Sequence, residues 1–374
     1  MADGAGERGE LGEIARKRYF PELGDLAYLN TASMAVPPAE AVAALREQIA
    51  LWAAGAGDLG LWESLAEEAR GLAAPLFGRE ARDVALMPSH VMAAATIAHA
   101  FPDAVVVVPE EEFRANLMPW LHGRADVRLV PAPATTEAIC AAVDAVRPGL
   151  VAVSSVQSAN GLRVDLPGLV RHAHDRGALV YVDASQSLGV DATLAAGGAD
   201  FVGAVAYKWI LGARGAGFLA VAPEHRARLA PITAGPEAAT DIVDGVYYGT
   251  EYALWDDARL FDQPQACFPW VATVGGLRLI TGYRQADLDA HATGLATRFR
   301  DEVARLGLTP APVDVPSAIV SVAHDDPQTA VTRLAEAGVR ASARSTGIRF
   351  AFHLYNGESD VDRALSAIQG VVSP

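Results

Sequence analysis

Six stretches of this chain are apolar at nearly every position rather than at alternate ones: Val105–Val108, Val127–Val130, Leu150–Ser154, Leu179–Asp183, Phe201–Val205 and Gly217–Val221. Continuous apolar strands fit a parallel sheet covered on both faces, whereas a sheet with one wet face reads as alternation. Between them, His90–Ala100, Thr135–Val146 and Leu166–Arg176 carry helical patterning. Strand and helix in turn predict an α/β fold with a mostly parallel sheet, whose ligands bind beyond the carboxyl ends of the strands. Asp183 closes one such strand and Lys208 follows another, so both are expected on that edge.

The flanks read differently. Pro37-Pro38 opens a helix running to about Ala54, with Leu45, Ile49 and Trp52 on one stripe, and Gly55–Gly60 reads as loop. Past about Pro223 the pattern loosens. Pro231–Gly249, rich in Gly, Pro and polar residues, reads as an excursion over the surface. A helix from about Ala272 to Thr281 then leads into a smaller α+β unit, with strands Ala318–Val322 and Ile348–Phe352 and helices Thr329–Ala337 and Glu358–Ile368. The expected organisation is an N-terminal segment (1–24) packing on the small unit, a large ligand-binding domain (25–250) and a small C-terminal domain (251–374).

Composition excludes several classes. No apolar run approaches the roughly 18 residues that span a bilayer, and Met1–Phe20 is charged, without an apolar stretch leading to a cleavage site. Cys140 and Cys267 stand far apart, which fits a reducing compartment, so a cytoplasmic protein is expected. No HExxH occurs, and His172 and His174 point to different sides of a helix, so no metal site is expected. A net charge of −15 argues against nucleic acid and suits solubility. Neither GxGxxG nor GxxxxGK[ST] follows the first strand, which sets a nucleotide-binding fold aside.

Positive charge here is written as arginine; the only lysines are Lys17 and Lys208. Lys17 sits in the solvated run Arg16-Lys17-Arg18. Lys208 sits inside the apolar stretch Phe201–Gly212. Guanidinium does not lose its proton, whereas burial can lower a lysine pKa by up to about 3–5 units and so make a Schiff-base amine. The plainer alternative is a lysine snorkelling from a strand end.

Val182-Asp183-Ala184-Ser185-Gln186-Ser187-Leu188-Gly189, then Tyr207-Lys208-Trp209-Ile210-Leu211-Gly212 and Gly215-Ala216-Gly217-Phe218-Leu219, resemble the class V aminotransferase family of pyridoxal-phosphate (PLP) enzymes, of fold type I. The resemblance runs from Tyr28-Leu29-Asn30-Thr31-Ala32-Ser33 to Tyr355-Asn356. It implies a large domain with a mostly parallel seven-stranded sheet between helices, a smaller α+β C-terminal domain, pyridoxal 5′-phosphate as cofactor, and a homodimer. Lys208 would hold the cofactor as a Schiff base and move the substrate's α-proton. Asp183 would keep the pyridine nitrogen protonated, which makes the ring a better electron sink. By the same resemblance Gln186 meets the ring's 3′-oxygen. Ser89, His90 and Val91 meet the phosphate at a helix N-terminus, with Tyr207 as a further donor. Phe113, in Glu112-Phe113-Arg114-Ala115-Asn116, stacks on the ring, and Gln157 and Ser158 border it. Arg349 clamps the substrate α-carboxylate, with Asn30 and Arg344 at the edge of the same pocket.

Three departures bear on the reaction. Gly338–Gly347, where desulfurases carry a catalytic cysteine, has none, so persulfide chemistry is not expected. Val205-Ala206-Tyr207 replaces the family's Ser-x-His. Arg259–Trp270 lacks the Gly-Thr pair that many members send to a neighbouring subunit's phosphate, leaving Gln265 or a backbone amide to substitute. The expected activity is therefore that of an aminotransferase on a small amino acid. A kynureninase-like or C–S/β-lyase and an isopenicillin-epimerase-like activity are the alternatives. A catalytically inactive sensor or scaffold of this fold is the non-enzyme alternative, and retention of Lys208, Asp183 and Arg349 together argues against it.

Overall fold

A computed structural model describes residues 11–241, 245, 248–345 and 347–372. The start of the expected N-terminal segment and part of the expected surface excursion therefore lie outside the described residues. In chain order, α1 (Glu13–Tyr19), β1 (Ala27–Tyr28), α2 (Ala39–Ala53) and α3 (Leu59–Ala73) come first. Next are β2 (Val84–Met87), α4 (His90–Ala100), β3 (Val105–Pro109), α5 (Arg114–His122), β4 (Asp126–Val130), α6 (Thr136–Val146), β5 (Leu150–Ser154) and α7 (Leu166–His174). Then β6 (Leu179–Asp183), β7 (Phe201–Val205) and β8 (Gly217–Val221) complete the large sheet. The chain closes with α8 (Cys267–Thr281), α9 (Gln285–Arg305), β9 (Ile319–Ala323), α10 (Pro327–Glu336), β10 (Val339–Arg340), β11 (Ser342–Arg344), β12 (Gly347–Ala351) and α11 (Glu358–Val372).

The large sheet has seven strands in the order β2-β8-β7-β6-β5-β3-β4. β8 runs antiparallel to both β2 and β7; the other pairs are parallel. Every residue of β5, β7 and β8 is buried, as apolar-throughout strands between two helical layers must be. A second sheet, β11-β12-β9, is antiparallel and packs with α9, α10 and α11 around its own core of Phe299, Val320, Phe350 and Ile368. The fold is thus the expected α/β type with a large, mostly parallel sheet.

Several expectations change. The sequence pattern predicts neither α3 nor the 21-residue α9, and α8 begins five residues before Ala272. The α2 stripe does not face the core: Ile49 is 44% and Trp52 60% exposed, while Ala41 and Gln48 are buried. Residues 16–30 fold back onto the C-terminal unit. β1 pairs with β10, Asn30 bridges to Ala351, and Arg16 Nη1 lies 2.8 Å from Asp360 Oδ1 of α11. Gly161 joins the two sheets: its φ is +80°, and a Cβ there would sit 2.3 Å from Ile319 O. That contact carries the loop after β5, and Ser158 with it, against the second sheet.

Candidate active site

Asp183 is the last residue of β6, and Lys208 lies three residues past the adjacent β7. Both line one cleft, together with His90, Phe113, Ser158, Gln186 and Tyr207. The turn carrying Lys208 is pinned from both ends. Gly212 N–H donates to Ala206 O at 2.9 Å, and Leu211 takes a left-handed φ of 58°. Trp209 Nε1 donates to Gln186 Oε1 at 2.9 Å, and His353 Nε2 donates to Trp209 O at 2.9 Å. The His353 ring stacks between Trp209 and Tyr355, and burial holds its pKa down at about 4, so it stays a neutral donor.

Lys208 is buried, and its amine is pulled down to about 8. Burial is the main cause; Asp183 opposes it, and Arg349 and Arg344 push further down. Its Nζ lies 5.5 Å from the centre of the Phe113 ring and 5.7 Å from that of Tyr207. Asp183 Oδ1 accepts from Ser185 N–H at 2.8 Å, and Oδ2 lies 3.3 Å from His90 Nε2. Burial lowers the His90 pKa against the pull of Asp183, so the imidazole is neutral near pH 7. Gly203 makes room beneath them: a Cβ there would lie 2.3 Å from Tyr181 Oη and 2.9 Å from His90 Nδ1.

Other expected residues take partners of their own. The His90 ring turns to Asp183, which leaves only its backbone N–H for an anion at the α4 N-terminus. Ser89 Oγ caps that helix, accepting from Met92 N–H at 3.3 Å, and the Val91 side chain is exposed. Gln186 Nε2 donates to Ala32 O at 3.0 Å and Ser158 Oγ at 3.1 Å, so both its amide protons are engaged. Gln157 Nε2 donates to Glu112 Oε1 at 2.7 Å. The half-buried Tyr207 ring lies under the Arg214 guanidinium at 5.3 Å. Gln265 Nε2 donates to Gln263 O.

The second sheet supplies two cations. Arg349 is 1% exposed; Nη1 donates to Ser158 O and Oγ, each at 2.7 Å, and Nη2 to Ser33 Oγ at 2.8 Å. Arg344 Nη2 donates to the same Ser33 Oγ at 3.1 Å. Burial lowers the Arg349 pKa to about 9, with Arg344 adding to the shift. Buried polar atoms without a partner gather around this region: Asn30 Oδ1, His90 Nδ1, Gln157 Oε1, Ser185 Oγ and Arg349 Nε. Native structures rarely leave such groups unsatisfied, and a bound ligand is one way to satisfy them.

Two further residues of the site carry little or no signal in the sequence. Glu112 accepts from Ser154 N–H and Oγ–H at 2.6 Å each, Gln157 Nε2 at 2.7 Å and Asn116 Nδ2 at 3.1 Å. Burial pushes its carboxyl up to about 7, the Ser154 bonds opposing. Its only sequence signal was its place beside Phe113. Ser33 carried none, because its partners lie 311 and 316 residues away. Among the described residues no group of His, Cys, Asp and Glu is arranged to hold a metal, and no helix is long and apolar enough to cross a membrane.

Residues 27–364 match the family model described as aminotransferase class-V. The chain is 27% identical to a kynureninase of Deinococcus radiodurans over 96% of its own length and 93% of that protein's. It is 31% identical to a probable cysteine desulfurase of Methanothermobacter thermautotrophicus, over 62% of each chain. Among solved structures, the cysteine desulfurase CsdA of Escherichia coli superposes with a TM-score of 0.81 at 20% identity, covering 96% of this chain and 97% of that one. The cystine C–S lyase C-DES gives 0.79 at 16% identity, covering 93% and 98%.

Proposed function

Because this chain belongs to the class-V aminotransferase family of PLP-dependent enzymes, we propose that it is an aminotransferase acting on a small amino acid, with Lys208 as its cofactor-bearing and proton-moving amine. The residues present fit the cofactor. Lys208 offers a buried amine of lowered pKa, Asp183 a carboxylate whose neighbour His90 is neutral, and Phe113 an aromatic face beside both. The α4 N-terminus offers free N–H groups for a phosphate, and the Ser185 hydroxyl is without a partner. When bound, pyridoxal phosphate supplies an electron sink that acidifies the Cα–H bond of an attached amino acid.

The chain's own groups then divide the work. Asp183 would present its carboxylate to the ring nitrogen. Arg349 grips the α-carboxylate and so orients the Cα–H bond. Lys208 Nζ, neutral above about pH 8 when free, takes the α-proton and returns it. The observation that carries aminotransfer is that Lys208 is the only lysine in the cleft, with no thiol lining it. A single base on one face suffices to relocate a proton, whereas the desulfurase route, which hands sulfur to an enzyme thiol, needs a nucleophilic cysteine, and Gly338–Gly347 has none.

A kynureninase-like lyase is the second reading, favoured by the nearly full-length alignment with a kynureninase. Loading the protein with PLP and offering amino acids with and without a keto acid separates the two. Turnover that requires the keto acid supports aminotransfer; turnover without an acceptor, releasing ammonia or a cleaved side chain, supports the lyase. A homodimer belongs to the same reading, and light scattering of the purified protein checks it.

A further inference from the structure

We propose that the substrate of this site is an acidic amino acid, whose second carboxylate is held by Arg344 while Arg349 holds the first. The inference rests on the PLP-enzyme reading and adds the substrate class to it.

β11 and β12 pair antiparallel, with Ser342 opposite Arg349 and Arg344 opposite Gly347. Opposite residues share a face, as do residues two apart, so Ser342, Arg344 and Arg349 project from one side of the hairpin. Both guanidinium Nη2 atoms reach the same Ser33 Oγ, at 2.8 and 3.1 Å, which places them no more than about 6 Å apart. Two cations held this close repel each other, and no described carboxylate pairs with either. The other buried arginines show what this chain does when the purpose is structural. Arg16 faces Asp360 at 2.8 Å and Arg70 faces Asp262 at 2.6 Å. The Arg349–Arg344 pair bonds only to neutral oxygens of Ser33, Ser158 and Ala343.

One α-carboxylate would leave one of the two guanidinium charges without a counter-charge. A second carboxylate balances it. A short dicarboxylic amino acid spans the distance between two guanidiniums set this close. Further unpaired groups stand ready on the same face: Arg349 Nε and Ser342 Oγ are buried without partners. Ser33 Oγ, accepting from both arginines, has its own O–H left to donate to the same anion.

The test uses the PLP-loaded full chain and follows the cofactor's absorbance during titration with L-aspartate, L-glutamate, L-asparagine and L-alanine. Aspartate or glutamate should half-saturate at a concentration at least tenfold below asparagine and alanine, the scale of one charge-assisted hydrogen bond. Succinate should compete at least tenfold better than butyrate. In Arg344→Gln the ratio between acidic and neutral amino acids should fall by at least tenfold. Equal half-saturation by aspartate and alanine in the unmodified protein, or a ratio unmoved in Arg344→Gln, overturns the proposal while leaving the enzyme reading intact. If no amino acid of any charge moves the absorbance, the reading beneath it falls and this inference with it.

Discussion

Arg70 and Arg349 are both almost wholly buried, and their surroundings could hardly differ more. Arg70, on α3, donates to Asp262 and Glu67 and to Val84 O. Burial alone would lower its pKa, but the two carboxylates outweigh that and raise it. Arg349, on β12, meets only neutral oxygens, and its pKa falls to about 9. One guanidinium clips α3 to the sheet edge at β2; the other is bonded to Ser158 and Ser33 beside the cleft and has no counter-charge. Desolvating a cation is costly wherever it occurs. Where folding supplies the counter-charge, the residue serves the fold. Where folding withholds it, the missing charge describes the ligand.

The sharpest way to break this contrast is to remove each guanidinium in turn. Arg70→Met strands Asp262 and should lower unfolding stability by about 3–5 kcal/mol, as loss of one partner from a buried ion pair does. Arg349→Met removes a cation without a counter-charge and should leave stability unchanged or higher. Chemical denaturation of both variants beside the parent reads this directly, and a large loss in Arg349→Met would contradict the division.

Next in size is the functional side of the same substitution. Arg349→Met should raise the half-saturating amino acid concentration tenfold or more, corresponding to about 1.5–3 kcal/mol for a hydrogen bond to a charged group. Spectral titration of the PLP-loaded variant measures it. Arg70→Met, assayed where it remains folded, should bind amino acid as the parent does.

Glu112 is the anionic counterpart of Arg349, buried and bonded to neutral donors alone. Its folded pKa of about 7 lies above the ordinary value of 4.5. Between those two values the folded state holds the proton more tightly than the unfolded state, so this group's contribution to stability falls as pH rises from about 4.5 to 7. The slope is at most about 1.4 kcal/mol per pH unit. Glu112→Gln should remove that slope, and unfolding curves at pH 5 and pH 7 for parent and variant would show it.

The sequence announced the parts of the molecule that depend on local pattern. Five of the six apolar runs are strands buried on both faces, where continuous hydrophobicity is demanded, and the sixth, β4, is a largely exposed edge strand; together they placed Asp183 and Lys208 on one edge. β2 was missed because Val84–Met87 is only four residues long and held from one side by β8. α3 was missed because its buried face is built of Trp62, Ala66, Ala69 and Ala73, and small alanines blur the period. Residue roles set by distant partners were the least legible. Glu112 and Ser33 become visible only when β5 and β12 are brought beside them, and the His90 ring shows its attachment to Asp183 only once Gly203 lets it pass beneath.

The central claim is that the amine at position 208 bears the cofactor, and the chain is well suited to test it because Lys17, exposed on α1, is its only other lysine. PLP-loaded protein reduced with borohydride and digested should carry the pyridoxyl mass on the peptide containing Lys208 and not on that containing Lys17. A label on Lys17 alone, or no label on either peptide, would contradict the account.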